Sequence, residues 1–288
     1  MFYVFMFFCA LPSAFPSQHP GGGAVIGRDT FDSFTQRGFT MKSGTKLLMI
    51  AAVWMGVMAS VAVAEDAASG PTPFPKKDQD WPGKGVVRKF DFMVGERKAF
   101  WQHRASDQGA VVFVGDSLTG GWKTLAKDFP KMKVANRGLG GDVSRGVLWR
   151  FKEDVLDLNP KAIVLCIGNN DLTASGKPAD MLSNVADTLA LADKAQPSIP
   201  IILCSIPSSA NPKAPVKAAD RKAMNEGVGK LAAERKNTYF VDLFTATANE
   251  DGSPKLECFA ADKLHLAAPG HAKWVELLTP IFEKLKLE

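Results

Sequence analysis

Five short apolar runs, separated by segments of helical character, constrain the fold of this chain more than any other feature. The clearest are residues 110–114 and 162–167, which are continuously apolar, as in strands buried on both faces of a sheet. The other three predicted strands are 133–136, 199–204 and 238–242. Strands that alternate with helices through short loops form a parallel sheet with helices on both faces. The sequence therefore predicts an α/β fold with three αβα layers and a five-stranded parallel sheet.

The segments between the strands carry the spacing and end residues of helices. Residues 142–156 place apolar side chains on one helical face, and Asp142 is the predicted N-cap. Residues 269–285 form the closing helix, in which Pro280 should introduce a kink or a break. The remaining predicted helices are 92–104, a segment around 122–127, 178–195 and 216–235.

The first 88 residues do not fit this alternation. Residues 41–64 have a basic start, an apolar middle and an Ala-Val-Ala exit, which predicts a secretory signal peptide and export to the periplasm or medium. The alternative is an uncleaved membrane anchor, because the apolar run is about long enough to span a bilayer. We interpret residues 1–40 as a disordered or mis-annotated extension, and residues 65–88, rich in Pro and Gly, as an irregular arm or linker. The α/β domain is then 89–288.

Charge and cysteine content exclude some classes of function. The formal net charge is only +5 and the basic residues are scattered, so the sequence predicts no nucleic-acid partner. Beyond the apolar segment three cysteines remain, Cys166, Cys204 and Cys258, and no pair has the spacing of metal ligands. Cys166 and Cys204 lie in apolar runs and are expected to be small core residues, and no metal site is predicted.

Ser117 is the candidate nucleophile. It follows the first predicted strand at a Gly-Asp turn that opens a helix, where its hydroxyl would stand at the carboxyl edge of the sheet near unpaired N–H groups. A serine after Gly-Asp is also a common turn and cap residue. The assignment therefore depends on what else reaches the same edge.

Asp262 and His265 are the candidate partners of that serine. They are three residues apart, so in a tight turn both side chains can face one way, and the carboxylate can orient an imidazole that accepts the serine proton. The other histidines beyond residue 65 have no such neighbour: His103 lies before the first strand, and His271 lies on the closing helix. The alternative for His265 is a helix-capping residue.

Three donors could stabilise an oxyanion beside Ser117. They are the N–H of Ser117, the N–H of Gly138 in a loop without a Cβ to block approach, and the side-chain amide of Asn170 beyond the third strand. Asn170 could instead be a turn residue. The Gly140–Gly141 pair could be only a flexible corner.

The four polar stretches together resemble the motifs of the SGNH (GDSL) hydrolase family. They are Gly-Asp-Ser-Leu at 115–118, Asn-Arg-Gly at 136–138, Gly-Asn-Asn-Asp at 168–171 and Asp-Lys-Leu-His at 262–265. The longer stretch at 136–150 is similar to the branch that contains the brain-type platelet-activating-factor acetylhydrolase subunits and bacterial acetylesterases.

That resemblance implies a flavodoxin-like sheet of order 2-1-3-4-5 and a two-step acyl transfer that needs no metal or other cofactor. It assigns Ser117 as nucleophile, His265 as base, Asp262 as its partner, and Ser117, Gly138 and Asn170 as oxyanion donors. Asp116 and Asp171, within the same stretches, have supporting roles. Asn169 departs from the family, which often has Thr there.

The sequence and the resemblance together predict an exported serine esterase that hydrolyses short-chain acyl esters, chiefly O-acetyl groups on carbohydrates. Its partner would be a small-molecule or polysaccharide-borne ester, with no stable membrane span after signal cleavage and an oligomeric state that the sequence leaves open. One alternative is a lipid acylhydrolase of the platelet-activating-factor or lysophospholipase kind. It would need an apolar groove beside Ser117, which Trp122 and Trp149 could line, although the sequence favours both as core residues. The other is a binding module that has lost turnover.

Overall fold

A computed structural model describes residues 70–287 of the chain. The predicted signal peptide or anchor at 41–64, the predicted extension at 1–40 and the start of the predicted arm lie outside the described residues.

A five-stranded parallel sheet forms the centre of this part of the chain, with the strand order β2-β1-β3-β4-β5. The strands are β1 Val111–Gly115, β2 Val134–Gly138, β3 Ala162–Cys166, β4 Ile201–Cys204 and β5 Thr238–Val241. All neighbouring pairs are parallel. The predicted fold class, strand order and αβα layering are confirmed.

Each interior strand is apolar throughout because both of its faces are buried. Val112 and Val114 of β1 face one core, while Val111 and Phe113 face the other, as the two-residue period of a strand requires. Helices cover both faces. In this way the continuous apolar runs in the sequence become the middle layer of the fold.

Nine α-helices surround the sheet in residues 70–287. Their bounds are α1 Asp91–His103, α2 Ser117–Gly120, α3 Leu125–Asp128, α4 Ser144–Asp154, α5 Asn169–Thr173, α6 Pro178–Ala195, α7 Ala218–Glu234, α8 Leu243–Thr247 and α9 Ala268–Lys284. Helices α4, α6 and α7 supply one core, and α9 packs on the opposite face. The long helices match the predicted segments to within two residues at nearly every end.

Asp142 is not the N-cap of α4, contrary to the prediction. The helix begins at Ser144 with Val143 as the capping position, and Asp142 lies buried before it. Its carboxylate instead holds Arg150 through the guanidinium Nε at 2.7 Å. A buried arginine on the helix competes successfully for the carboxylate because leaving either charge unpaired is costly.

The structure also differs from the helix predicted around residues 122–127, and from one of the two outcomes predicted at Pro280, the break. In place of one helix around residues 122–127 there are two short ones, α2 and α3, with Trp122 buried between them. The closing helix α9 runs through Pro280 without a break. Burial of Trp274, Leu278 and Phe282 along α9 offsets the one backbone hydrogen bond that proline removes.

The described segment before α1 is irregular except for one 3₁₀ turn at Asp78–Asp80. It packs against the domain through Phe74 and Trp81, which are buried with Met93 and Leu139. Arg145 of α4 donates to the backbone carbonyls of this segment, including that of Pro82 at 2.9 Å. We call residues 70–90 the arm from here on.

Cys166 and Cys204, the two predicted core cysteines, are buried and unpaired, and so is Cys258. Among residues 70–287, no helix has both the length and the apolar character needed to cross a membrane.

Candidate active site

Ser117 lies immediately beyond an interior strand of the sheet. Strand β1 ends at Gly115, which is so close to β3 that a Cβ there would clash with the carbonyl oxygen of Cys166. Asp116 caps α2 by accepting a hydrogen bond from the N–H of Leu118 at 2.9 Å. Ser117 is the first residue of α2, and its N–H has no hydrogen-bond partner within residues 70–287. The hydroxyl therefore stands at the carboxyl edge of the sheet beside an unpaired amide.

Asp262 and His265 lie in one tight turn that precedes α9. Lys263 adopts a left-handed conformation at φ +57°, and its N–H donates to the carbonyl of Ala260 at 2.9 Å. The turn brings His265 Nδ1 to 2.5 Å from Asp262 Oδ2. It also brings His265 Nε2 to 2.9 Å from Ser117 Oγ, across 148 residues of sequence. The structure thus joins the three residues that the sequence singled out.

Asp262 is held in its ionised form. Burial acts against this, but hydrogen bonds from the His265 ring and from the N–H groups of Leu264 and His265 hold the pKa of Asp262 below its ordinary value. An ionised carboxylate on Nδ1 favours the tautomer in which Nε2 carries the lone pair. That nitrogen is the one that faces the Ser117 hydroxyl.

Gly138 does not provide the free donor that was predicted. Its N–H already donates to Asn136 Oδ1 at 2.9 Å, and the Asn136 side chain is fixed in turn by donating to the carbonyl of Thr119 at 2.8 Å. The glycine serves close packing, because a Cβ at this position would clash with the backbone N of Gly120. The sequence could not show that the side chain of Asn136 turns back onto this amide.

The turn after β2 holds two other candidate donors. Within residues 70–287, the N–H groups of Gly140 and Gly141 have no hydrogen-bond partner. The turn is fixed over β1 because Leu139 donates its N–H to the carbonyl of Gly115 at 2.9 Å. Gly141 has φ +79°, a conformation that favours glycine, and it directly precedes Asp142, which contacts Asn170.

Asn170 lies at the start of α5, beyond the end of β3. One hydrogen of Nδ2 donates to the carbonyl of Asp142 at 3.0 Å, so the second hydrogen of the amide is available. Oδ1 accepts from Nη1 of Arg88 at 3.2 Å, and Nη2 of Arg88 donates to Thr173 Oγ1 at 3.2 Å. Arg88 belongs to the arm and was not identified from the sequence, because the arm has no periodicity that would place it.

The predicted supporting residue Asp171 connects two helices. Its carboxylate accepts from the N–H of Ser144 at 2.9 Å and from Ser144 Oγ at 2.7 Å, so it caps α4 from the neighbouring helix α5. Below it, Arg150 connects Asp142 to the carbonyl of Gly115 at 3.0 Å. These contacts hold the ends of β1, β2 and β3 in one arrangement.

The two supporting carboxyls have raised pKa values. Burial raises the pKa of Asp116 to about 7, and the nearby carboxyls of Asp142 and Asp171 act in the same direction. Burial likewise raises the pKa of Asp171 to about 6, although Ser144 partly opposes this by hydrogen bonding. Asp116 Oδ2 is buried without a hydrogen-bond partner among residues 70–287.

The site is open to solvent on one side. The side chains of His265 and Asp262 are 41% and 40% exposed. Phe90 and Phe92 are exposed and stack on each other with ring centroids 5.6 Å apart, next to the Gly140–Gly141 turn. An exposed aromatic pair of this kind is a flat apolar surface beside the candidate donors.

Neither tryptophan proposed for an apolar groove borders Ser117 with an open face. Trp122 is 1% exposed and packs between Phe113 and Trp274. Trp149 packs on Phe74 of the arm, with ring centroids 5.0 Å apart. Both are packing residues.

Comparison with known proteins also indicates an acylhydrolase. A sequence model of the GDSL-like Lipase/Acylhydrolase family matches residues 113–273. The rat platelet-activating factor acetylhydrolase IB subunit alpha2 is 28% identical over 171 residues, which cover 57% of this chain and 71% of the rat protein. The rat alpha1 subunit is 26% identical over 215 residues, which cover 72% of this chain and 85% of that protein.

A solved structure is similar over the same region. A GDSL-like lipase from Bacteroides thetaiotaomicron superposes with a TM-score of 0.56 at 26% sequence identity. The superposition covers 67% of this chain and 99% of the lipase. The arrangement around Ser117 can therefore be compared with the chemistry of a known family.

Proposed function

Since the chain belongs to the GDSL-like lipase/acylhydrolase family and is therefore a carboxylic ester hydrolase, we propose that it hydrolyses short-chain acyl esters, in particular O-acetyl groups on carbohydrates. Ser117 is the nucleophile, His265 the general base and Asp262 the residue that orients it. The observation that carries this proposal is the pair of contacts on one imidazole. Nε2 lies 2.9 Å from Ser117 Oγ and Nδ1 lies 2.5 Å from Asp262 Oδ2.

The first half of the reaction forms an acyl-enzyme. His265 Nε2 takes the proton of Ser117 as Oγ attacks the ester carbonyl carbon. The oxyanion is bound by the N–H of Ser117, the N–H of Gly141 and the free hydrogen of Asn170 Nδ2. His265 then gives its proton to the departing alkoxide, and the alcohol leaves.

The second half releases the acid. His265 takes a proton from water, and the hydroxide attacks the acyl carbon of Ser117. The same donors bind the second oxyanion, and the proton returns to Ser117 Oγ as the carboxylic acid departs. Asp262 remains ionised throughout and stabilises the imidazolium at each stage.

Two observations support a short acyl group on a carbohydrate. The matched rat proteins are named acetylhydrolases, which supports acetyl as the group removed. The open rim with the exposed pair Phe90 and Phe92 suits a polar, extended substrate, because the C–H faces of a sugar ring can pack on exposed aromatic faces.

Acyl-chain profiling tests the proposal. We expect purified protein to hydrolyse aryl acetates and acetylated oligosaccharides, with a rate that falls steeply as the acyl chain lengthens. Ser117→Ala should lower kcat by about 10⁴-fold or more. His265→Ala should be similarly severe, and Asp262→Asn should retain more activity, because the aspartate acts only through the histidine. Hydrolysis of long-chain esters at equal or better rates would contradict the short-acyl proposal.

A phospholipid substrate is the second candidate, because the matched rat proteins carry platelet-activating factor in their names. Short-chain acetylated phospholipids and acetylated xylo-oligosaccharides should be compared at equal ester concentration. The carbohydrate proposal predicts a higher kcat/KM for the oligosaccharides. The reverse order would favour the lipid.

We also propose that the protein is exported after cleavage near Glu65. The support is the sequence pattern of 41–64 alone. The intact mass of protein recovered from the periplasm or medium should correspond to a chain that starts at or near Glu65. A mass that includes residues 41–64 would instead indicate a retained anchor.

A further inference from the structure

A cavity of about 630 Å³ lies beyond the carboxyl ends of β4 and β5, lined by none of the residues assigned to hydrolysis. One wall is the exposed loop after β4, including Ser209 and Ala210, and another is α7. Arg221, Asn225 and Gly229 of α7 all line it, because residues four apart lie on one helical face. Most of the remaining surface is apolar, with Val216, Phe240, Phe244 and Pro254.

Arg221 is the unusual residue in this cavity. It is only 6% exposed, yet no carboxylate lies within ion-pair distance of it in residues 70–287. Its single hydrogen bond there is from Nη2 to Ser209 Oγ at 2.7 Å, and its Nε is buried without a partner. Burial lowers the pKa of Arg221 to about 10, so the guanidinium still carries its charge at neutral pH. A buried, unpaired charge is costly, and proteins normally supply a counter-ion.

The acidic side chains around the cavity form hydrogen bonds or ion pairs with groups other than Arg221. Asp242 accepts from Ser205 Oγ at 3.0 Å and from the N–H of Thr245 at 3.1 Å. Glu226 is paired with Lys222 at 3.9 Å, one turn along α7. Asp251 accepts from the N–H and the hydroxyl of Ser253. None of these groups neutralises Arg221, although they make the rim unfavourable for a ligand with several negative charges.

We propose that this cavity binds a small monocarboxylate with an apolar body, whose carboxylate pairs with Arg221. The planar guanidinium offers Nη1, which has no hydrogen bond to residues 70–287, and the second hydrogen of Nη2, and donors on these two adjacent nitrogens match the two oxygens of a carboxylate. The apolar walls match a hydrocarbon chain or ring. A single charge suits a site that has one unpaired cation and several carboxylates at its rim.

The cavity shares a wall with the turn that carries His265, but it is a separate site. Ala210 donates its N–H to the carbonyl of Lys263 at 2.9 Å, and Ser208 Oγ donates to the carbonyl of Gly252 at 2.7 Å. These bonds fix the loop between the cavity and the turn. The wall of the cavity that this loop forms is therefore preformed.

Calorimetric titration of the full chain with hexanoate, and with 1-hexanol as the uncharged probe, tests the proposal. We expect hexanoate to bind about tenfold or more tightly than hexanol, because charge-assisted hydrogen bonds to Arg221 would be lost with the alcohol. Arg221→Met should weaken hexanoate binding by about the same factor and leave hexanol binding unchanged. Lys230→Met, at an exposed position of the same helix that does not line the cavity, is the matched control and should bind hexanoate like the wild type.

A second variant keeps the proposal testable if Arg221→Met does not fold. Gly229→Leu retains Arg221 but fills the cavity; a Cβ at Gly229 meets only the Phe240 ring, at ordinary distances from 3.7 Å. It should abolish binding of both probes while thermal unfolding shows a folded protein. The proposal is overturned if hexanoate does not bind, if hexanol binds equally well, or if a folded Arg221→Met or Gly229→Leu protein binds hexanoate like the wild type.

Discussion

At the residue scale, the site depends on one imidazole, that of His265, which lies 2.9 Å from the hydroxyl of Ser117 and 2.5 Å from the carboxylate of Asp262. Ser117, His265 and Asp262 meet where the sequence predicted, because the carboxyl ends of parallel strands share an edge. Gly138 was wrong as a donor, because sequence spacing cannot show that Asn136 already occupies its N–H. Arg88 was missed, because its contact with Asn170 spans 82 residues and comes from an irregular segment.

The first residue-scale prediction concerns Arg88. Arg88→Met removes the donor that holds Asn170 Oδ1, so the amide loses its fixed orientation and the transition state loses part of its stabilisation. We expect kcat on an aryl acetate to fall by about tenfold with little change in KM, a smaller loss than the hundredfold or more expected for Asn170→Ala.

Steady-state kinetics of the neighbouring variant Lys89→Met provide the control, because that exposed side chain has no described contact with Asn170. Equal kcat values for Arg88→Met and the wild type would show that the amide is oriented without the arm.

The second residue-scale prediction concerns Asp116 and pH. The pKa of Asp116 is about 7 in the folded protein, above its ordinary value of 3.8. The protonated carboxyl therefore contributes fully to stability below about pH 3.8, and this contribution is lost as the pH rises through about 7. Asp116→Asn keeps a capping side chain but has no proton to lose. The free energy of unfolding of the variant relative to the wild type should therefore improve with rising pH, by up to about 4 kcal/mol over that window.

Urea unfolding at a series of pH values between 4 and 8 would measure this difference. Parallel stability curves for Asp116→Asn and the wild type would mean that the buried carboxyl does not titrate in this range.

At the scale of elements, the parallel sheet could be read from the sequence because each buried strand is continuously apolar. The short helices α5 and α8 could not, since five residues are too few to show a helical period. The start of α4 was placed too early because Asp142 looks like a cap in sequence, whereas the residue that caps the helix, Asp171, comes from another element. Local spacing in the sequence does not show which polar groups pair with groups that are distant in the chain.

The element-scale prediction concerns the buried arginine that joins α4 to β1. Arg150→Met leaves Asp142 buried without its partner and removes the donor to the carbonyl of Gly115. We expect the free energy of unfolding to fall by about 3–5 kcal/mol in chemical denaturation. Lys152→Met on the same helix removes an exposed ion pair with Asp157, and should cost at most about 1 kcal/mol. Similar losses in the two variants would contradict a structural role for Arg150.

At the scale of the whole molecule, the arm is part of the site although it precedes the family match at 113–273. Trp81 packs with Met93 and Leu139, and Leu139 begins the glycine turn that contains the proposed donor Gly141. The same segment delivers Arg88 to Asn170. The sequence indicated only an irregular arm, because burial of Trp81 depends on the shape of the surface that receives it.

Trp81→Ala tests this whole-molecule role. Loss of a buried indole should lower the free energy of unfolding by about 3–5 kcal/mol. Activity should fall in protein that is still folded, because the arm no longer holds Arg88 and the glycine turn. Lys84→Ala, an exposed arm residue, is the control and should leave both stability and kcat near the wild-type values. An active, stable Trp81→Ala protein would mean that the arm is dispensable.

The most direct test of the account is covalent labelling of the folded protein with a fluorophosphonate, followed by mass spectrometry of the intact chain and its peptides. The account predicts one adduct per molecule, located on Ser117, and a labelling rate reduced by about a thousandfold or more in His265→Ala, because the hydroxyl then has no base. An adduct on another residue, no adduct in folded protein, or unchanged labelling of His265→Ala would contradict it.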